Sequence, residues 1–404
     1  MGHLCGGEYG WNHAVNSIDG TGGGELRDQA ASWRTLRYSV GVEQVGVAII
    51  GAGSIALANH LPGLALTQRA KVVALCDSDP ATLQKASQAT GVAAVYADYS
   101  KVIAHEGVDA VIVATPNFLH APIVLAAVSA GKHVLCEKPL ALDFTTAKQM
   151  YDFAEVAGVR HMTAFTYRFV PAMRYMKHLI AAGEIGAPWH FRAQRFQDWG
   201  DRPLGWRQVK KLAGSGELGD MLSHRIDYAH LLIGRITRVV AQLRNFIPQR
   251  GGNPSDVDDW VAMLCEFENA PTTGVLESTK LATGRGEGHR GQDVVEVNGS
   301  EGTIVYSTQR PLELQIGKPG DADLHKIDVP RAFHVWTGSP RDPSVGDPLA
   351  TFRYDQDFEF IHAIVNNRPC VPSFFEGVAV QAVMDAAHES SQQRAWIDVA
   401  RVIA

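Results

Sequence analysis

Five short, uninterrupted apolar runs restrict the fold most: "VGVAII", "KVVALC", "DAVIVA", "HVLCE" and "HMTAF", all between Val45 and Phe165. A run that is apolar at nearly every position has no wet face, so it reads as a strand covered on both sides, as in a parallel sheet. The segments between the runs carry helical periodicity. In "HAPIVLAAVSAGK", Ile123, Ala126, Ala127 and Ala130 form one stripe, and Gly131 closes the helix as its C-terminal cap. Strand and helix alternate five times, which predicts an α/β unit: a doubly wound parallel sheet with right-handed crossovers.

Beyond about Thr166 the pattern changes. In "WVAMLCEFE", Val261, Met263, Cys265 and Phe267 alternate with a more polar set that includes Glu266 and Glu268, so one face of that strand is wet. "TTGVLESTKLA", "DVVEVNGSEGTIVY" with an Asn298-Gly299 turn signal, and "LELQIGKPG" continue this alternation and predict an antiparallel sheet of hairpins. Two helices, near Asp355–Asn366 and Glu376–Ser391, are expected to close the chain. Residues 1–42, rich in glycine and polar groups, show neither period and read as an arm, either loosely held or docked on a neighbouring subunit. The expected division is thus an arm over 1–42, a first α/β domain over 43–166 and a second over 167–404.

Charge and cysteine usage remove several classes of function. With Lys+Arg 37 against Asp+Glu 43, the net charge is -6 and both signs are scattered, so no basic field grips a nucleic acid. No apolar segment reaches the roughly 18 residues of a membrane span, and the first 40 residues lack a secretory apolar block. The five cysteines are far apart and odd in number, as expected of reduced thiols in a cytoplasmic protein. Sixteen histidines include no H-E-x-x-H and no paired Cys/His spacing, so no metal is expected.

The first run ends in "VAIIGAGSIA", which sets Gly51, Gly53 and Ala56 at the G-x-G-x-x-G/A spacing. Gly51 permits the tight turn, Gly53 lets backbone approach a pyrophosphate, and Ala56 lets the helix pack on the strand. Ser54 and Ile55 open that helix, whose unpaired N–H groups suit phosphates. The second run ends in "ALCDSDP", where Asp77 stands to accept hydrogen bonds from both hydroxyls of an adenosine ribose and to repel a 2′-phosphate. Asp79, just before Pro80, suits a helix cap instead. The cofactor expected is therefore NAD rather than NADP.

Ligands of a doubly wound sheet bind outside the carboxyl ends of its strands. "ATPNFLH", with Thr115, Pro116, Asn117 and His120, and "CEKP", with Glu137 and Lys138, both emerge at that edge. Lys138 can bring a positive charge to the reacting centre. Pairing with Glu137 is improbable, because neighbours on an extended strand point to opposite faces. Asp220 and His224, four apart, share one face of a helix behind the lead-in Gly214-Ser215-Gly216, and an imidazole near its ordinary pKa can accept a hydroxyl proton. Tyr167, Arg168, Gln197, Asp198 and Trp199 are candidates for a pocket that pairs with hydroxyls and covers apolar ring faces, although packing beneath the sheet suits Trp199 equally well.

Together, "GAGSIA", "ATPNFLH", "CEKPLAL", "FTYRFVPA" and "AGSGELGDMLSHRIDYAHLLIG" resemble the glucose-fructose oxidoreductase / inositol dehydrogenase (Gfo/Idh/MocA) family, from about Val45 to the C-terminus. "FRAQRFQDWGD", "GWRQ" and "VDDWVAMLCEF" are similar to its levoglucosan dehydrogenase-like members acting on unphosphorylated sugars. The resemblance implies a Rossmann domain followed by an α/β domain with a large, open, mostly antiparallel sheet that commonly mediates oligomers, here a homodimer or homotetramer. It also implies that Lys138, Asp220 and His224 surround the reactive carbon of a sugar or cyclitol hydroxyl. A ketosugar reductase, a redox-neutral NAD-dependent glycosidase and a non-catalytic NAD-binding regulator remain alternatives on the same fold.

Overall fold

The computed structural model describes residues 44–268, 271–287 and 291–402; the arm expected over 1–42 lies outside the described residues. The first sheet holds six parallel strands: β1 (Val45–Ile50), β2 (Ala70–Cys76), β3 (Val95–Tyr96), β4 (Ala110–Val113), β5 (His133–Cys136) and β6 (His161–Thr163), ordered β3-β2-β1-β4-β5-β6. Every residue of β1, β4 and β5 is buried, as their continuous apolar character requires. The five runs account for five strands. The sixth, β3, is two residues long and half exposed at the sheet edge, too short to leave a pattern. Between β4 and β5, the helix His120–Ser129 buries Ile123, Val124, Ala127 and Val128, whereas Ala130 is exposed, so the inward stripe differs from the one read from the alanines.

The second sheet is larger. Strands β7 (Pro188–Phe196), β8 (Ile236–Arg244), β11 (Trp260–Phe267), β12 (Thr273–Thr279), β13 (Gln292–Gly299), β14 (Gly302–Ser307), β15 (Glu313–Gly317), β16 (His325–Asp328) and β17 (Ile397–Asp398) lie in the order β16-β15-β14-β13-β7-β12-β11-β8-β17, with a separate hairpin of β9 (Gln249–Arg250) and β10 (Asn253–Pro254). Only β7 and β12 run parallel; the other pairs are antiparallel. In β11, Val261, Met263, Cys265 and Phe267 face inward, as the alternation predicted. The turn between β13 and β14 is Ser300–Glu301, not Asn298–Gly299, because Gly299 already pairs with Gly302. A side chain at Gly299 would place Cβ 2.2 Å from the Ile185 carbonyl, so that glycine serves close packing rather than a turn.

The inward face packs on the helices Pro171–Ala181, Ser223–Leu232 and Phe374–Gln393. The outward face carries Val240, Leu264 and Val275 side by side across three strands, with Leu264 exposed. The last two long helices do not serve the second sheet alone. Phe360, Ile361 and Ala363 of the helix Tyr354–Val365 complete the core on one side of the first sheet, and Phe374 and Val378 complete the core on the other. Phe374 is fully buried there. Phe374→Ala is expected to lower unfolding stability by about 3–5 kcal/mol, read as a lower denaturant midpoint with the first sheet melting in the same transition as the second.

Candidate active site

Three loops at the carboxyl edge of the first sheet form the floor of the site. The turn after β1 needs Gly51: its φ is +96°, and a Cβ there would stand 2.4 Å from the Ala114 carbonyl oxygen. Gly53 is different, since a Cβ on it would meet no protein atom within 4 Å. The space it leaves is open for a ligand, which fits a pyrophosphate resting on the backbone. Ser54 is exposed and Ile55 half-buried at the start of the following helix, so their N–H groups end at that space. Asp77 Oδ2 accepts from the Ala52 amide at 2.9 Å and Oδ1 from the Asp79 amide at 2.9 Å, which fixes the carboxylate beside the loop. Asp79 caps the helix Pro80–Thr90, accepting from the Ala81 and Thr82 amides. Asp79 thus takes the capping task that its position suggested.

The loops after β4 and β5 are stitched together by His120. Its Nδ1 lies 2.9 Å from the Pro139 carbonyl and its Nε2 3.1 Å from that of Thr115, and the ring is fully buried. The structure therefore holds His120 beneath the loops, not at their surface. Asn117 Nδ2 donates to the Ala213 carbonyl at 2.9 Å and ties this edge to the lead-in of the second region. Thr115 and Pro116 are half-buried beside it, and Thr115 Oγ1 has no hydrogen-bond partner.

Lys138 and Asp220 meet. Lys138 Nζ donates to Asp220 Oδ1 at 3.0 Å and also to the Asp220 carbonyl, while Glu137 turns to the opposite side and contacts His60. The Lys138–Pro139 peptide is cis. Asp220 lies in a π-helical turn, Leu218–Leu222, that runs into the helix Ser223–Leu232 carrying His224, so Asp220 sits on a widened turn and His224 on the regular helix that follows. Gly216 is required where that turn begins, because a Cβ there would sit 1.9 Å from the Asp258 carbonyl oxygen. The Asp258 carboxylate accepts from the Gly216 and Leu218 amides, both at 2.7 Å, and so caps the turn from another segment.

His224 is nearly buried, and its Nδ1 has no hydrogen-bond partner. Burial pushes its pKa well below the usual imidazole range, and the charges of Lys138, Arg225, Arg353 and Arg195 push the same way. The ring is therefore neutral at neutral pH. For Asp220, burial alone would raise the pKa, but Lys138 and then Arg207 outweigh it and hold the carboxyl at about 2. Tyr167 packs edge-on to His224, with ring centroids 4.6 Å apart, and its hydroxyl lies 3.5 Å from Arg353.

Lys138, Asp220, His224 and Tyr167 are thus gathered in one place. Arg168 is not: its guanidinium forks onto Asp227, with contacts of 2.7–3.0 Å, both buried beneath the site. Asp198 Oδ2 accepts from the Gly284 amide at 2.7 Å, which anchors a loop. Gln197 is buried, and Trp199 packs under the Lys280 ammonium, so the packing alternative describes Trp199. The sequence reading missed Arg195, Arg225, Arg353 and Glu217. Of these, Arg225 adjoins His224 and was open to suspicion from the helix alone; Arg353 reaches the site from 129 positions beyond His224, with no local signal.

An open dinucleotide cradle on a six-stranded parallel sheet, facing a lysine, an aspartate and a neutral histidine beside a second sheet, defines a nicotinamide-dependent oxidoreductase of two-part build. Residues 45–165 match the oxidoreductase family with an NAD-binding Rossmann fold, and residues 173–305 match the GFO/IDH/MocA C-terminal domain. The chain belongs to the Gfo/Idh/MocA family. It is 34% identical to levoglucosan dehydrogenase of Pseudarthrobacter phenanthrenivorans, over 90% of this chain and 100% of that protein. It is 32% identical to D-xylose 1-dehydrogenase (NADP(+)) 2 of Haloferax volcanii, over 87% and 98% respectively. The solved structure of levoglucosan dehydrogenase in complex with NADH and levoglucosan superposes with a TM-score of 0.81 at 33% identity, covering 89% of this chain and 100% of that one.

One acid near this site behaves unlike Asp220. Glu217 is fully buried, accepts from Ser278 Oγ at 2.6 Å through Oε1, and has no partner at Oε2. Burial pushes its pKa up to about 8, and the nearby Asp220 and Asp258 carboxylates add to the rise against the opposing Ser278 hydrogen bond and Lys280 charge. The folded chain keeps this proton while the unfolded chain loses it above about pH 4.3. Wild-type stability should therefore fall relative to Glu217→Gln as pH rises from about 4.3 to 8, by up to about 1.4 kcal/mol per pH unit. Urea unfolding of both proteins at pH 5.5 and 8.5 measures the difference.

Proposed function

We propose that the protein oxidises a secondary hydroxyl of an unphosphorylated sugar, anhydrosugar or cyclitol to the ketone, with NAD as the acceptor. The observation that carries this reading is the contact of Lys138 Nζ with Asp220 on the turn that leads into His224, because it puts a cation and a neutral base from separate segments in one place. Gly51, Gly53, Ser54 and Ile55 would hold the pyrophosphate, Asp77 the ribose hydroxyls, and Thr115, Pro116 and Glu137 the far end of the dinucleotide. NAD, when bound, supplies the hydride acceptor. His224 takes the hydroxyl proton on its imidazole, which is free to receive it because burial, together with the surrounding cations, keeps it neutral. Lys138 Nζ, aimed by Asp220, donates to the substrate oxygen as negative charge grows on it. Tyr167 covers an apolar ring face beside His224.

Asp77 supports NAD over NADP, since a carboxylate held beside the dinucleotide loop would repel a 2′-phosphate. Residues 43–166 act as the NAD-binding region and 167–404 as the substrate-binding and association region in this reading. The protein is cytoplasmic in this reading, in keeping with four buried thiols and no helix among the described residues long and apolar enough to cross a membrane. We propose self-association as a homodimer or homotetramer through the outward face of the second sheet, where Val240, Leu264 and Val275 form an apolar row.

A panel of pyranoses, anhydrosugars and inositols, with NAD and NADP, should give net NADH production with a neutral sugar. His224→Asn should lower kcat by about 10²–10⁴, and Lys138→Ala should lower it comparably, with NADH affinity in each within about tenfold of wild type; equal loss of binding and turnover would remove the catalytic assignment. Leu264→Arg should shift light-scattering mass toward the monomer with the fold intact by circular dichroism.

A further inference from the structure

The helix behind the cofactor loop ends its π-helical turn, Ala56–His60, on a fully buried histidine. His60 Nδ1 lies 2.8 Å from Asp357 Oδ1 in the helix Tyr354–Val365, and Nε2 lies 3.2 Å from Glu137 Oε1 at the end of β5. The second contact is off the hydrogen-bond axis and acts as an ion pair. The Asp357 side chain is also fully buried and packs against the backbone at Gly63, where a Cβ would stand 2.6 Å from Oδ2. Two carboxylates that flank one buried ring repel each other unless a cation lies between them. An imidazole with a carboxylate at each nitrogen has two places for a proton and no neutral tautomer that serves both.

We propose that His60 is a positioning residue: as an imidazolium it bridges Glu137 and Asp357, and so fixes the Glu137–Lys138 segment against the dinucleotide loop. It touches neither Lys138 nor Asp220; it acts through Glu137. Glu137 is the partly exposed member of the trio, at 18% of its side chain against none for the other two, so it is the end that a bound dinucleotide can sense. The pKa of His60 supports the charge state: burial lowers it, but Asp357 and Glu137 outweigh burial and raise it to about 10. Lys138, His120 and Cys136 are the other titratable groups coupled to Glu137. The inference rests on the proposed NAD site, and NADH binding rather than turnover tests it.

NADH affinity of the full chain is measured by cofactor fluorescence from pH 6 to 9, with urea midpoints recorded for each variant. Wild type should bind NADH with a flat profile, and failure to bind at all would count against the proposed function rather than the bridge. His60→Gln leaves two facing carboxylates, so affinity should drop at least tenfold at pH 8 and return to within threefold of wild type at pH 6, where the pair takes up a proton. Adding Asp357→Asn to that variant removes one charge and should restore affinity to within threefold at every pH. Purely structural damage would not be repaired by acid or by a second substitution. Wild-type binding by His60→Gln at pH 8, or loss that neither acid nor Asp357→Asn repairs, overturns the proposal. The double variant decides the matter if His60→Gln alone does not fold: with one carboxylate left it should fold and bind NADH within threefold of wild type at every pH, and failure of the double variant to fold or to bind overturns the proposal.

Discussion

The contact between Lys138 and Asp220 joins residues 82 positions apart, and much of the local structure exists to make it possible. Lys138 leaves β5 on a loop stitched from below by His120. Asp220 is offered by a turn that Asp258 caps and that Gly216 allows to approach a neighbouring backbone. Asn117 ties the two approaches through the Ala213 carbonyl. Each of these groups is polar, and most are buried, so each is a cost unless satisfied. Their satisfaction by one another leaves the ammonium and the carboxylate with one mutual geometry rather than a choice of several.

The same constraint governs the charges behind the site. Arg225 pairs with Asp293, Arg168 with Asp227, and Arg250 and Lys280 with Asp259, all of them buried. A buried pair is seldom a source of stability on its own account, since desolvation offsets the attraction. Breaking one is costly, however, and this makes the arrangement hard to deform. Of these cations Arg225 also acts on His224, where its charge adds to the burial that keeps the imidazole neutral. A floor of this kind cannot be supplied by apolar residues, which pack well but exert no field.

The first sheet was legible because its strands are buried on both sides and leave continuous apolar runs; only β3, short and at the edge, left none. The second sheet was legible in kind but not in detail. Gly299 imitates a turn signal, and its real cause, the Ile185 carbonyl, lies in another segment. At the site, Gly51, Asp77, Lys138, Asp220 and His224 stand in local motifs whose spacing carries physical meaning. Arg353, Asp357 and the Asp258 cap reach the site from distant segments, and no local spacing records a contact made only by the fold. Arg168 and His120 misled because a polar side chain beside a motif looks the same in sequence whether it faces a ligand or holds up the loop.

Glu217 and Asp220, three residues apart on one turn, end in opposite protonation states. Asp220 is ionised because Lys138 and Arg207 outweigh its burial, whereas Glu217 keeps its proton because burial and two nearby carboxylates outweigh Ser278 and Lys280. Carboxyls whose pKa values are driven apart are how one site holds an anion and a neutral acid at the same pH. If Glu217 were ionised, its charge would repel that of Asp220. Kept neutral, it leaves the ionised Asp220 without a second negative charge on the same turn. A fully buried carboxyl on this turn therefore does more for the site by staying uncharged than a second carboxylate could.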